Sequence, residues 1–358
     1  MDGLRFVAIG LVVLFHLNGY LMAKLPSEFV TAASTDWLTL AALQGLRGVE
    51  LFFVISGFIL GLPFAAHHLQ GRPPVALGTY YVRRLTRLEP PYLVTLFAFV
   101  VLHALVGGSS IAAQLPHLAA SAVYLHNQIY GSISTVLGVA WSLEIEVQFY
   151  VLVPVLTLLF AVTGRWTRRL TMVVVIVTIL VLQEMFVPPL GRASLSILGY
   201  LQYFLVGFVL VDIYVSDWSE APTQSWWWDG VSLVGWPLLF VLLQSDLLTH
   251  RTLPFAILLL FCAAFRGRAS QALVTQPWIT AIGGMCYSMY LIHYEVISLI
   301  GRFSMRLATG WAYWFDLLVQ LTIVGSCVVV VTALYYVILE KPCMRRDWPQ
   351  RLRARLVG

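Results

Sequence analysis

Apolar stretches of membrane-spanning length recur along the chain from its first residues nearly to its last, and this pattern constrains the fold more than any motif. A helix needs roughly 20 mainly apolar residues to cross a bilayer. The segments that approach this are 4–22, 48–64, 91–107, 141–162, 170–187, 195–215, 230–245, 252–266, 280–301 and 314–338. Together they predict an all-α, polytopic membrane helix bundle of about ten transmembrane helices. Composition agrees: only 11% of residues are charged, against roughly 25% in an average soluble domain. The shortest segments are 48–64 and 252–266. The first is rich in glycine and ends at Pro63, a pattern compatible with a broken or re-entrant helix lining a cavity. The first segment has no small-residue cleavage site and reads as a retained helix.

Orientation follows from Lys and Arg. With the N-terminus in the cytoplasm, fifteen basic residues fall in inner loops and the tail, among them Arg83, Arg84, Arg165, Arg168 and Arg268. Six fall outside: Lys24, Arg47, Arg192, Arg251, Arg302 and Arg306. That asymmetry satisfies the positive-inside rule and places both termini in the cytoplasm. The excess charge of +5 is thereby spent on orientation and is scattered between spans, which speaks against nucleic acid as a partner. The inner loop 216–229 holds only acids, Asp217, Glu220 and Asp229, which weigh little in the rule. Of four cysteines, three lie inside apolar segments and none has metal-ligand spacing, so no metal is expected.

Ionisable residues inside a bilayer are costly, and each is a functional candidate by default. Arg5 and His16 lie eleven positions apart on the first span. At ~100° and ~1.5 Å per residue they share a face and stand ~16 Å apart along the axis. A neutral imidazole there can accept a proton. Glu50 opens the second span beside Arg47. Glu144 and Glu146 follow Trp141 and Ser142 on the fourth; being ~200° apart they face different ways, one toward the protein interior and one toward the outer water. His293 sits near the middle of the ninth span with Tyr290 one turn earlier, the spacing of a structural His–Tyr hydrogen bond. Arg84 and Arg87, a turn apart beside Tyr80 and Tyr81, suit multidentate phosphate recognition. The outer stretch 108–140 is polar in places and long enough to cover an outward-facing cavity.

Six of these segments, in this order, resemble the acyltransferase-3 family of integral membrane O-acyltransferases. Asp2-Gly3-Leu4-Arg5 through His16 is similar to the family's first helix, with its Arg-x10-His spacing. Gly48 to Phe58 resembles the second-helix motif, with Glu50 where Asp is common. Arg84-Leu85-Thr86-Arg87 resembles its Arg-x-x-Arg, Trp141 to Tyr150 its Trp-Ser-Leu motif, and Tyr287 to His293 its Tyr-Ser-x-Tyr-Leu-x-His. Leu339-Glu340-Lys341-Pro342 resembles the closing Glu-x-Pro. In the fourth motif Glu146 matches the first family acid and Val147 replaces the second, which leaves Glu144 the weaker correspondence.

The resemblance implies a domain over residues 1–346 followed by a short basic cytoplasmic tail, 347–358, in the bacterial inner membrane. It also implies transfer of a short acyl group, acetyl in the first instance, from acyl-CoA to a hydroxyl of a carbohydrate or glycosylated acceptor. Acyl-CoA is then a co-substrate, and no tightly bound cofactor is expected. In this reading His16 is the general base, and Glu146 or Glu50 orients it or the acceptor. Arg5, Arg84 and Arg87 hold the CoA phosphates, while Glu144, His293, Tyr290, Trp141 and Ser142 shape the site. The competing class is a transporter or flippase of a glycan or anionic solute, which also needs intramembrane charges but favours two matching halves with interrupted helices.

Overall fold

The computed structural model describes residues 1–25, 37–106, 110–218, 222–241 and 247–345. Among them the chain is helical throughout, with no strand. The helices are α1 (Asp2–Lys24), α2 (Trp37–Leu43), α3 (Arg47–Gln70), α4 (Leu77–Val106), α5 (Ile111–Ala122), α6 (His126–Tyr130), α7 (Trp141–Leu156) and α8 (Arg165–Phe186). They continue with α9 (Leu201–Asp217), α10 (Trp226–Val241), α11 (Leu247–Arg266), α12 (Arg268–Val274), α13 (Pro277–Gly284), α14 (Cys286–Ser304) and α15 (Tyr313–Tyr335). A π-helical turn, Tyr336–Glu340, follows. The tail 347–358 lies outside the described residues.

Among the described residues six helical segments are long and apolar enough to cross a membrane, or seven if one sharply bent pair counts as a span. Ten were expected from the sequence. The difference has identifiable causes. The 195–215 stretch begins with a short turn at Ile197–Gly199, so α9 itself has only 17 residues. α10 has 16. The 280–301 stretch is cut at Met285 into α13, of 8 residues, and α14, whose 19 residues include His293, Glu295 and Arg302 and are too polar to qualify. The bent pair is Thr249–Arg266 with Arg268–Val274, at 89°.

The second span is not broken. α3 runs unbroken through Pro63, and its glycines serve packing instead. A Cβ at Gly57 would meet the backbone of Phe204, and one at Gly207 the backbones of Val54 and Gly57–Phe58. Small residues are what allow helices in lipid to approach closely, and α3 and α9 pack against each other along much of their length. Around them Phe53, Phe149, Phe204 and Phe208 stack in the core. α1 is central too, bordered by α3, α13, α14 and α15. α4 likewise continues through Pro90 and Pro91. The Pro91 carbonyl also accepts from the hydroxyls of Thr95 (2.9 Å) and Tyr335 (2.6 Å), the latter tying the last long helix to α4.

Charges at one end of the bundle are paired. Arg168 and Arg169 both bind the fully buried Asp212, and Arg169 and Arg165 bind Asp217. Asp229 accepts from the Arg268 and Ser270 amides, both at 2.8 Å. The acids of the 216–229 segment therefore neutralise neighbouring arginines or cap α12; Glu220 lies outside the described residues.

Gly57→Ala and Gly207→Ala should each wedge α3 from α9 and destabilise the protein by about 1–3 kcal/mol. The expected readout is a lowered unfolding midpoint of the detergent-purified protein. Unchanged midpoints in both variants would contradict this account of the glycines.

Candidate functional site

Two cavities meet inside the bundle. The larger, about 730 Å³, is lined by His16, Ser142, Trp141, Tyr290 and Tyr294, with residues 133–136 of the outer stretch at its wall. The smaller, about 110 Å³, is lined by Arg5, Arg84, Arg87, Ser56, Glu146 and Tyr150. Val49, Ser142 and Tyr290 line both, so the cavities abut at those residues. The shared face of Arg5 and His16 is thus realised, with the arginine in one chamber and the histidine in the other.

His16 is held by a second histidine. Its Nδ1 lies 2.9 Å from the Val12 carbonyl and 3.1 Å from His293 Nε2. His293 is completely buried, and its Nδ1 lies 2.9 Å from both the Met289 and Tyr290 carbonyls. Carbonyls only accept, so His293 Nδ1 carries the proton and its Nε2 is an acceptor. His16 Nδ1, facing that acceptor and the Val12 carbonyl, must then be the N–H. The lone pair of neutral His16 is left on Nε2. This arrangement was missed from the sequence, where His293 stood 277 residues from His16 and was paired with Tyr290. The structure corrects that pairing: His293 touches only the backbone of Tyr290.

The Tyr290 hydroxyl points elsewhere. It donates to the Val139 carbonyl and lies 3.0 Å from Ser142 Oγ. With its own proton committed, it accepts from the serine. This ties α14 to the start of α7 at the junction of the two cavities. The Trp141 carbonyl accepts from Asn127 Nδ2 at 2.9 Å, and its ring packs on Tyr200.

The two acids of α7 do face different ways, but neither points to outer water. Glu144 is the more buried, 1% exposed, and accepts from the His126 and Asn127 amides at 3.2 and 2.8 Å. It pins the start of α6 to the bundle. Glu146 lines the smaller cavity and accepts from Ser56 Oγ at 2.5 Å. Glu50 lines neither cavity; it pairs with Arg47 at 3.1 Å and accepts from Tyr203 at 3.4 Å.

Among the basic residues, Arg5 is bound by Asp2 at 2.6 Å. Arg84 lies between the rings of Tyr80 and Tyr150, 5.9 Å from each centroid, and has no carboxylate partner among the described residues. Arg87 faces the fully buried Glu340 at 3.6 Å. Glu340 in turn accepts from Ser288, from Oγ at 2.6 Å and from N at 3.1 Å. The π-helical turn ends on Glu340 and directs it into the bundle; such turns frequently mark functional positions. Glu340 and Ser288 belong to motifs quoted from the sequence, yet only the fold shows that they anchor Arg87.

Fold and site together define a multi-pass helical membrane protein with a histidine pair inside the helix bundle, beside two abutting chambers. The profile of the acyltransferase-3 family, described as an acyltransferase domain, matches residues 1–337. The chain belongs to that family. It is 27% identical over 334 residues to the O-acetyltransferase OatA of Staphylococcus aureus (strain NCTC 8325 / PS 47), covering 86% of this chain and 51% of the relative. A protein of Staphylococcus aureus (strain COL) provisionally named an O-acetyltransferase is 28% identical over 177 residues, or 46% of this chain and 26% of the relative. The chain thus spans about half the length of the first of these relatives and about a quarter of the second. No solved structure matches it significantly.

Glu340→Ala removes two hydrogen bonds to a buried carboxylate and strands Arg87, and should destabilise by about 2–3 kcal/mol. Glu340→Gln, which keeps an acceptor for Ser288, should lose less. Equal unfolding midpoints for wild type and Glu340→Ala would refute the anchoring role.

Proposed function

We propose that the protein is an O-acyltransferase that moves a short acyl group, acetyl in the first instance, from acyl-CoA to a hydroxyl of a carbohydrate-containing acceptor. The observation that carries this is the junction: a chamber lined by Arg5, Arg84 and Arg87 shares Ser142 and Tyr290 with the chamber that holds His16. A transporter has no need of an acceptor lone pair fixed at such a boundary, and family membership favours the enzyme.

In this reading Arg84, Arg87 and Arg5 take the phosphates of the donor, and the acyl-bearing arm extends down the narrow chamber to Ser142 and Tyr290. The acceptor enters through the larger chamber. His16 Nε2 removes the proton from the acceptor hydroxyl. The oxygen attacks the thioester carbonyl, and Ser142, turning its hydroxyl from Tyr290, is the donor available to the carbonyl oxygen as charge develops on it. The tetrahedral intermediate collapses, the carbon–sulfur bond breaks, and the departing thiolate takes the proton from His16. The ester and free CoA are the products. His293 fills the orienting role assigned from the sequence to Glu146 or Glu50: it fixes the His16 tautomer and stabilises the protonated ring through its Nε2 lone pair. Glu146, inside the smaller chamber, aligns the donor arm, and Glu50 supports the α3–α9 pair.

Ten crossings with both termini in the cytoplasm of a bacterial inner membrane complete the proposal. The donor mouth then faces the cytoplasm and the larger chamber the opposite side.

His16→Ala should abolish acetyl transfer, a drop of about 10²–10⁴-fold or more, while acetyl-CoA affinity stays close to wild type. Arg84→Gln should weaken acetyl-CoA binding. In sealed vesicles, transfer should require acetyl-CoA at the cytoplasmic face. Near-normal turnover by His16→Ala would sink the base assignment, and transfer supported equally from either face would sink the orientation.

A further inference from the structure

One wall of the larger cavity carries charge that the proposed chemistry does not use. Glu295, Ser298 and Arg302 of α14 line it, together with His103 near the end of α4. Their spacing of three and then four residues places the α14 side chains on one helix face. His103 Nε2 lies 3.2 Å from Glu295 Oε1. That pair occupies the acid, and Arg302 has no carboxylate partner among the described residues. Arg302 is also one of six basic residues expected on the outer side, where positive charge is disfavoured near spans. An arginine kept there, exposed to the cavity that holds His16, calls for an anionic ligand. Its planar fork suits a carboxylate or a phosphate.

We propose that His103, Glu295, Ser298 and Arg302 form the acceptor-binding wall, and that the acceptor is a glycan bearing a carboxylate or phosphate which Arg302 engages. This rests on the reading of the larger cavity as the acceptor chamber. The geometry adds a ruler. Arg302 lies nine residues beyond His293 on one continuous helix, roughly 14 Å along the axis. The anionic group therefore sits well away from the acylated hydroxyl, on a neighbouring sugar or substituent. Glu295 and His103, between the two points, hydrogen-bond the intervening hydroxyls.

The test uses the detergent-purified protein and a panel of size-matched di- and trisaccharides in neutral, uronate-bearing and phosphorylated forms, titrated by calorimetry. Acidic members should bind roughly tenfold or more tightly than neutral ones, the worth of one charge-assisted hydrogen bond. Arg302→Gln should erase that preference. Glu295→Gln should weaken neutral and acidic members alike. The ranking of uronate against phosphate identifies the anion. Equal affinity for neutral and acidic members, binding of none, or a preference that survives Arg302→Gln overturns the proposal. Acetyl-CoA is titrated separately on the same preparations. Normal donor binding without an acidic preference refutes the acceptor wall alone, whereas loss of donor binding by the wild type refutes the donor reading.

Discussion

A charge buried in a medium of low dielectric must find a partner or reach water, and this requirement organises the bundle. Glu144 is held by two backbone amides, Glu340 by Ser288, and Asp212 by two arginines. Asp316, also fully buried, takes the Thr309 amide and hydroxyl and the Gly310 amide. These acids are consumed in fixing the fold. Several of the polar groups left facing space gather in two abutting chambers. Burial alone would have ranked Glu144 above His16 as a functional residue; the partners reverse that order.

The histidine pair answers the same constraint at the proposed reaction centre. A carboxylate beside His16 would place a permanent charge in the interior, with the desolvation cost that entails. A neutral imidazole supplies an acceptor without that cost, and its own tautomer is fixed by the Met289 and Tyr290 carbonyls. In the proposed mechanism the proton passes to His16 only when a thiolate is about to reclaim it, so positive charge in the bundle is transient.

Much of this was legible in the sequence, for reasons that can be named. Helical periodicity puts Arg5 and His16 on one face and Glu144 and Glu146 on different ones, and the structure keeps both relations. Motif order suggested the family, and the match over residues 1–337 shows it. What stayed hidden depends on contacts across the chain. The partner of His16 comes from α14 and the anchor of Arg87 from the last turn, and no local pattern pairs them. The glycines of the second span read equally well as helix breaks or as packing surfaces, and only α9 decides. Arg302 counted in the sequence only as an outer-side charge, and nothing there tied it to His103 or Glu295, which the fold sets around the same cavity.

The central claim, that the donor arm passes from the arginines to the histidine pair, is tested most directly by the structure of the protein with a non-hydrolysable thioether analogue of acetyl-CoA. The account predicts phosphates on Arg84 and Arg87. It also predicts that the acyl carbonyl lies at Ser142 and Tyr290, leaving an acceptor oxygen ~3–3.5 Å from that carbon within reach of His16 Nε2. An analogue whose phosphates lie in the larger chamber, or whose acyl end lies away from His16, would contradict it.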